Sequence, residues 1–230
     1  MNSFATPART RQITTALHHL DSHTVEDDLY ARVFDAILEQ RITSSSHFTP
    51  QSLAQMFDAP RSVIQRVLTR LAHQQVVILR PNHRPTITAT DQEQARQVLH
   101  ARRLAESTVV QIFCERHRPH AISRLREKVR QQRLCLTQGQ QGPAIRLSGE
   151  FHLMLAELAG NRPLTHFLGS LVPLTSLLIA QDVRHADPHL AADWHATIID
   201  ALERSDQQLT TKLMQQYLHK LELILTTTTL

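Results

Sequence analysis

Residues 48–87, FTPQSLAQMFDAPRSVIQRVLTRLAHQQVVILRPNHRPTI, decide how the rest of the chain is read. Thr49-Pro50 is a helix opening, a hydroxyl cap followed by proline at the first helical position, and Leu53, Ala54 and Phe57 recur as a buried face. Asp58-Ala59-Pro60 stops that helix, because the residue before a proline resists the helical region. A second helix then places Val63, Ile64, Val67, Leu68 and Leu71 inward, which turns Arg61, Ser62, Gln65, Arg66 and Thr69 outward. After His73-Gln74-Gln75 the period changes from helical to alternating. Val76 to Leu79, a Pro81-Asn82-His83-Arg84-Pro85 turn and Thr86-Ile87-Thr88 read as a hairpin.

Residues 59–89 contain Arg61, Arg66, Arg70, Arg80 and Arg84 and no Asp or Glu. The formal net charge of +4 could be supplied by this stretch alone, while the basic run over 96–133 is offset by acids elsewhere. Arginine binds phosphate through a planar fork rather than as a point charge. Two short helices with a tight turn, followed by a basic hairpin, form the winged helix-turn-helix plan. In that plan the second helix enters the major groove of DNA and the first crosses the backbone. The side chains placed for this are Thr49, Gln51, Arg61, Ser62, Gln65, Arg66, Arg80, His83 and Arg84: arginine for guanine edges or phosphate, glutamine for adenine edges, hydroxyls for phosphate.

Outward from the motif, residues 1–23 show no apolar period and read as a flexible arm. From Thr24, Leu29, Val33, Phe34, Ile37 and Leu38 fall on one helical face, with Glu26, Asp27 and Asp28 near the positive end of the helix dipole. The DNA-binding domain is thus expected over 24–89. Thr90 and Glu93 form a capping-box pattern that opens a long helix to about residue 115. Further helices are expected over 119–139, from 144 to Gly160, from Pro163 with a kink or break at Pro173, from Asp187-Pro188 to 202, and from Asp206 to 225. Residues 138–143 read as a flexible loop and the final threonines as a polar tail. The fold class is therefore mainly α, a winged helix-turn-helix with a small β-hairpin wing followed by an antiparallel all-α bundle of six to seven helices over 90–230.

The length of 230 residues suffices for one large or two medium domains with a proper core. Cys114 and Cys135 make no framework and read as reduced, packed thiols of a cytoplasmic protein. Without an uninterrupted apolar run of about 18 residues or a signal-like N-terminus, neither a membrane span nor secretion is predicted. Fifteen histidines invite a metalloenzyme reading, but no HExxH pair and no spacing of nucleophile and base supports one. The expectation is no enzyme; a helical interaction protein with a vestigial DNA-binding domain is the alternative.

The chain resembles the GntR family of bacterial transcription regulators, in its FadR-like branch with an FCD effector domain. Leu53-Ala54, Arg61 with the run SVIQRVLTRL, Leu79-Arg80-Pro81-Asn82, Arg102 with Glu106, Phe151-His152 and Ala159-Gly160-Asn161 carry the resemblance in that order. It departs at Ser44-Ser45, where Pro-Gly is usual, at Pro60 for Ser, at Gln65 for Arg and at Arg84 for the wing-tip Gly. The resemblance implies a homodimer on a palindromic operator, acting as a repressor relieved by a small effector, an organic acid held in the bundle. It implies a divalent metal, Zn or Ni, on an Asp and three His; mapped here these are Ser148, His152, His195 and Tyr217, so only His152 and His195 remain as metal ligands. Glu150 and His219 lie two residues from the lost positions and point away. No tightly bound cofactor is expected, since even an open zinc site normally keeps three protein ligands. Arg102, Ser148, His152, His195 and Tyr217 are the expected effector-binding residues, with Arg102 as a carboxylate clamp.

Overall fold

The computed structural model describes residues 25–89, 91–116, 119–181 and 188–226. The arm 1–23, Thr24, Thr90, His117, Asp187 and the threonine tail lie outside the described residues. The first helix, α1, is described over 25–38 and buries Leu29, Tyr30, Val33, Phe34, Ile37 and Leu38. Next come α2 (Pro50–Phe57) and α3 (Arg61–His73). Thr49 caps α2 in a reciprocal box with Ser52, and Asp58 ends it in the left-handed region at φ 49°. The inward row of α3, Ile64, Val67, Leu68 and Leu71, is buried. The wing is a two-stranded antiparallel ribbon, β1 (Val77–Ile78) with β2 (Thr86–Ile87), in the register Val77 to Ile87 and Ile78 to Thr86.

Six further helices follow: α4 (Gln92–Glu115), α5 (Pro119–Thr137), α6 (Gln141–Ala159), α7 (Arg162–Gln181), α8 (Pro188–Glu203) and α9 (Gln207–Thr226). Three sequence expectations are corrected. The cap of α4 is Asp91, whose carboxylate accepts from the Gln94 N–H at 2.7 Å. α6 starts at Gln141 rather than at 144, so Gly142 and Pro143 are helical. Proline costs no intrahelical hydrogen bond in a first turn, whose N–H groups lack a partner anyway. α7 runs unbroken through Pro173, which is itself buried.

That continuity follows from where α7 lies. Leu168, Val172 and Leu178 join the core of the bundle, while Leu171, Leu174, Leu177 and Ala180 join the core formed by α1, α2, α3 and the wing. Apolar contact on two sides holds the helix through its missing hydrogen bond. It also accounts for α7 being long and apolar enough to cross a membrane by composition while half of it is buried in protein. The two cores are bolted together elsewhere by polar contacts. Arg146 of α6 forks onto Asp35 of α1 at 2.7 and 3.1 Å and reaches Glu150 at 2.7 Å, and Lys128 of α5 holds the other oxygen of Glu150 at 2.7 Å. Gln40 and Gln181 donate across the junction to the carbonyls of Ala180 and Thr88.

Candidate functional site

Two sets of polar residues stand out against these cores, one on the surface of α3 and the wing, the other inside the bundle.

On α3 the outward side chains form two rows. Arg61, Gln65 and Thr69 follow one another at four-residue intervals, with Ser62 beside them, and all are exposed. No side chain caps this helix, since the capping position holds Pro60. The wing tip presents Arg80, His83 and Arg84 to solvent, with Asn82 turning the chain at φ 61°. Among the described residues Arg61, Arg80 and Arg84 have no carboxylate partner. The second row of α3 differs: Arg66 Nε meets Glu26 at 2.6 Å, Arg70 meets Asp27 at 2.6 Å, and the Arg70 guanidinium lies 3.9 Å above the Tyr30 ring. The Tyr30 hydroxyl continues the contact by donating to Gln74 at 2.8 Å. The absence of acids from residues 59–89 is therefore a fact of sequence; α1 supplies them in space. Thr49 and Gln51 stand at the start of α2, Thr49 with its hydroxyl in the cap and Gln51 exposed.

Inside the bundle, five of the six helices converge on one polar cluster: Arg102 and Glu106 from α4, Gln132 from α5, Ser148 and His152 from α6, His195 from α8 and Tyr217 from α9. All five sequence-predicted effector residues meet there. Except for Ser148, each member is at most 3 % exposed. Arg102 Nε donates to Glu106 Oε1 at 2.7 Å, and His152 Nδ1 lies 2.6 Å from Glu106 Oε2. His152 Nε2 faces His195 Nε2 at 3.2 Å, and His195 Nδ1 lies 3.2 Å from the Gln132 carboxamide. Phe151 stacks on His195 with ring centres 4.2 Å apart, and Tyr217 stacks on His152 at 5.4 Å while its hydroxyl meets Ser148.

Charge in this cluster is decided by competition. Burial works against an ionised Glu106, but Arg102 and His152 outweigh it and hold its carboxyl at about 2. Burial pushes both His152 and His195 below their ordinary value; at His152 the Glu106 carboxylate opposes that push, whereas at His195 the neighbouring His152 and Arg102 add to it. A carboxylate facing Nδ1 assigns the proton of neutral His152 to that nitrogen. Its Nε2 faces His195 Nε2, and His195 Nδ1 in turn faces the amide oxygen Oε1 of Gln132. One buried donor remains unmatched among the described residues, Arg102 Nη2. An orphaned guanidinium N–H is costly unless something accepts from it.

Glu106 and Gln132 are the members that reading for site residues passed over. Gln132 was legible: it occupies the apolar phase of α5 set by Leu125 and Val129. The donor set does not fit a resident divalent ion. Two imidazoles and two hydroxyls fall short of three strong ligands, Glu106 is spent on Arg102 and on the far side of His152, and among the described residues no three His, Cys, Asp or Glu side chains come together as a metal site. Glu150 is taken up by Arg146 and Lys128, and His219 lies at the surface near Glu222, so neither replaces a ligand.

The FCD domain profile matches residues 97–220, more than half of the chain. No curated protein sequence matches it. Among solved structures, E. coli McbR/YncC is similar at 16% identity and a TM-score of 0.67, covering 87% of this chain and 96% of its own. A transcriptional regulator GntR from Rhodococcus sp. RHA1 gives the same identity and score over 88% and 97%. Lar, which controls expression of the Listeria monocytogenes agr system, is similar at 12% identity and 0.53 over 97% and 98%. At these identities the likeness is one of fold.

Proposed function

The chain belongs to the GntR-type transcriptional regulators that carry an FCD effector domain, a family of regulators rather than enzymes, and from that premise we propose that it is a cytoplasmic homodimeric repressor whose grip on a palindromic operator is set by a small carboxylate in the bundle. Each subunit reads one half-site. Arg61, Ser62 and Gln65 reach base edges and nearby phosphates from α3, Arg80, His83 and Arg84 act from the wing, and Thr49 and Gln51 meet the backbone from α2, with Arg66 at the margin of the surface. The exposure of the α3 and wing side chains, on a helix that no side chain caps among the described residues, supports this reading.

The observation that carries the effector reading is the buried Arg102 Nη2, which has no hydrogen-bond partner among the described residues. A ligand carboxylate would accept from it, with the Ser148 and Tyr217 hydroxyls as further donors and His152 and His195 supplying ring faces. No metal is needed for that contact, and the purified chain is expected to carry little. Because α6 bears both Ser148 and His152 on its inner side and Arg146 toward α1, a ligand that shifts α6 shifts the DNA-reading head, and operator and effector affinities are linked reciprocally.

Two measurements test this. In a thermal-shift series of small carboxylic acids, with and without zinc, the acid that binds raises the melting temperature by mass action, and Arg102→Lys abolishes the rise. In parallel, binding to duplex DNA falls steeply with salt, and Arg61→Ala weakens it. A chain that binds no duplex even at low salt would be a helical interaction protein with a vestigial reading head, an alternative favoured by the neutralised charges of Arg66 and Arg70.

A further inference from the structure

The ladder between α1 and α3 goes beyond what DNA reading requires. Glu26, Asp27 and Tyr30 stand on one side of α1; Arg66, Arg70 and Gln74 follow at four-residue intervals along and just past α3. Three rungs join them: Glu26 to Arg66 at 2.6 Å, Asp27 to Arg70 at 2.6 Å with Tyr30 beneath the guanidinium at 3.9 Å, and Tyr30 to Gln74 at 2.8 Å. Among the described residues the Arg61, Gln65 and Thr69 row has no such partners on α1. We infer that Glu26 and Asp27 are specificity-determining residues, internal counter-ions that withhold Arg66 and Arg70 from DNA phosphates so that binding depends on the row that reads bases. The inference rests on the DNA-binding reading.

The physical reasoning concerns the two components of DNA affinity. Attraction to phosphate is independent of sequence and grows with every arginine that neutralises one; discrimination comes from base edges alone. A reading helix with three arginines at the surface would hold any duplex. Pairing two of them internally obliges a phosphate to displace a carboxylate before it gains the contact, which lowers the sequence-independent component and leaves Arg61 and Gln65 untouched. The pairs are partly exposed, with the Glu26 side chain at 22 % and that of Arg66 at 48 %, so they can be broken. An open groove of about 670 Å³ beside Arg66, Arg70 and His73 gives the released side chains room to turn.

The experiment compares the full chain with Glu26→Gln and Asp27→Asn, singly and together, on a random-sequence duplex over a salt series. Each released arginine that takes up one phosphate steepens the log–log salt slope by about 0.9 and tightens random-duplex binding by up to about 8-fold at 0.1 M salt. In selection from a randomised duplex library the double variant enriches a weaker consensus than the parent. Two controls separate release of an arginine from loss of nearby negative charge. Asp28→Asn removes a carboxylate that pairs with Arg32 instead of α3, and is expected to change binding little. In an Arg66→Ala background, Glu26→Gln is expected to lose its effect. Equal tightening in that background, or tightening by Asp28→Asn as large as by Glu26→Gln, overturns the inference, and so do unchanged affinity and slope in variants of a parent that binds DNA. A parent that binds no duplex at 50 mM salt removes the DNA-binding reading, and the inference falls with it.

Discussion

Glu106 stays ionised in a place where burial alone would neutralise it, because a guanidinium and an imidazole N–H share its two oxygens. Its folded value of about 2 lies below the ordinary 4.5, so its contribution is present above pH 4.5 and is lost as pH falls toward 2. His152 and His195 are held below 6.5 by burial, and keeping them neutral costs more as pH falls beneath that value. Both effects destabilise on the acid side, and the histidines act first. The urea midpoint should therefore drop between pH 7 and pH 5, and His195→Gln should flatten that drop; a parent with equal midpoints at both pH values contradicts the assignment. Glu106→Gln leaves Arg102 as a buried cation without its carboxylate, for which about 3–5 kcal/mol of stability should be lost, read from urea unfolding at pH 7.5. At this scale the family resemblance pointed to Arg102, Ser148, His152, His195 and Tyr217, and the fold brings these five together in one buried cluster. Glu106's role was not legible in the sequence, because a carboxylate four residues from an arginine looks the same on a solvated helix face as in a sealed core.

Helices α6 and α7 show what close packing demands of single positions. A Cβ added at Gly149 would meet Ser176 Oγ at 2.8 Å and Val172 Cγ1 at 3.0 Å, whereas one at Gly169 would meet nothing within 4 Å. Gly149→Ala should cost about 1–3 kcal/mol by overpacking, and it should blunt the thermal response to carboxylates because Ser148 and Gly149 share a turn with His152. Gly169→Ala should be neutral or stabilise by up to about 1 kcal/mol, since alanine is the better helix former. Calorimetric melting of both variants checks the contrast, and equal melting temperatures would contradict it. The Thr49 cap of α2, the Asp206 cap of α9, whose carboxylate accepts from the Leu209 N–H at 2.9 Å, and the buried rows of α1 and α3 could be read from spacing, because such signals act within one or two turns. The start of α6 and the continuity of α7 could not. Gly142 lies against Asp35 and Glu39, and Pro173 is enclosed by two cores, so distant contacts overrode local preference.

On the scale of the whole molecule, α7 belongs to both cores and Arg146 ties the head to the bundle, which makes the two halves mechanically dependent. Arg146 is held strongly charged despite burial, by Asp35 and Glu150; burial pushes Asp35 up even so, while Arg146 and Lys128 outweigh burial at Glu150 and hold it down. Removing the cation in Arg146→Ala leaves the buried Asp35 carboxylate without its guanidinium and Glu150 with Lys128 alone. The expected result is a loss on the order of 3–5 kcal/mol and a calorimetric transition that separates into two, with the head melting first. A single transition at the parent temperature would show that α7 alone carries the coupling.

The sequence by itself determined the order of elements, the winged helix-turn-helix plan, the helical bundle behind it and the family to which both belong. Each of these rests on periodicity, capping chemistry or residue order, properties that a chain carries before it folds. Tertiary structure alone decided which charges are available. Arg66 and Arg70 stand in an acid-free stretch of sequence, yet α1 returns two carboxylates to them across some forty residues. Conversely Arg102, which has a glutamate one turn away, keeps a buried N–H without a partner among the described residues. Coulomb energy depends on distance in space and on local solvation, and neither quantity is written along the chain.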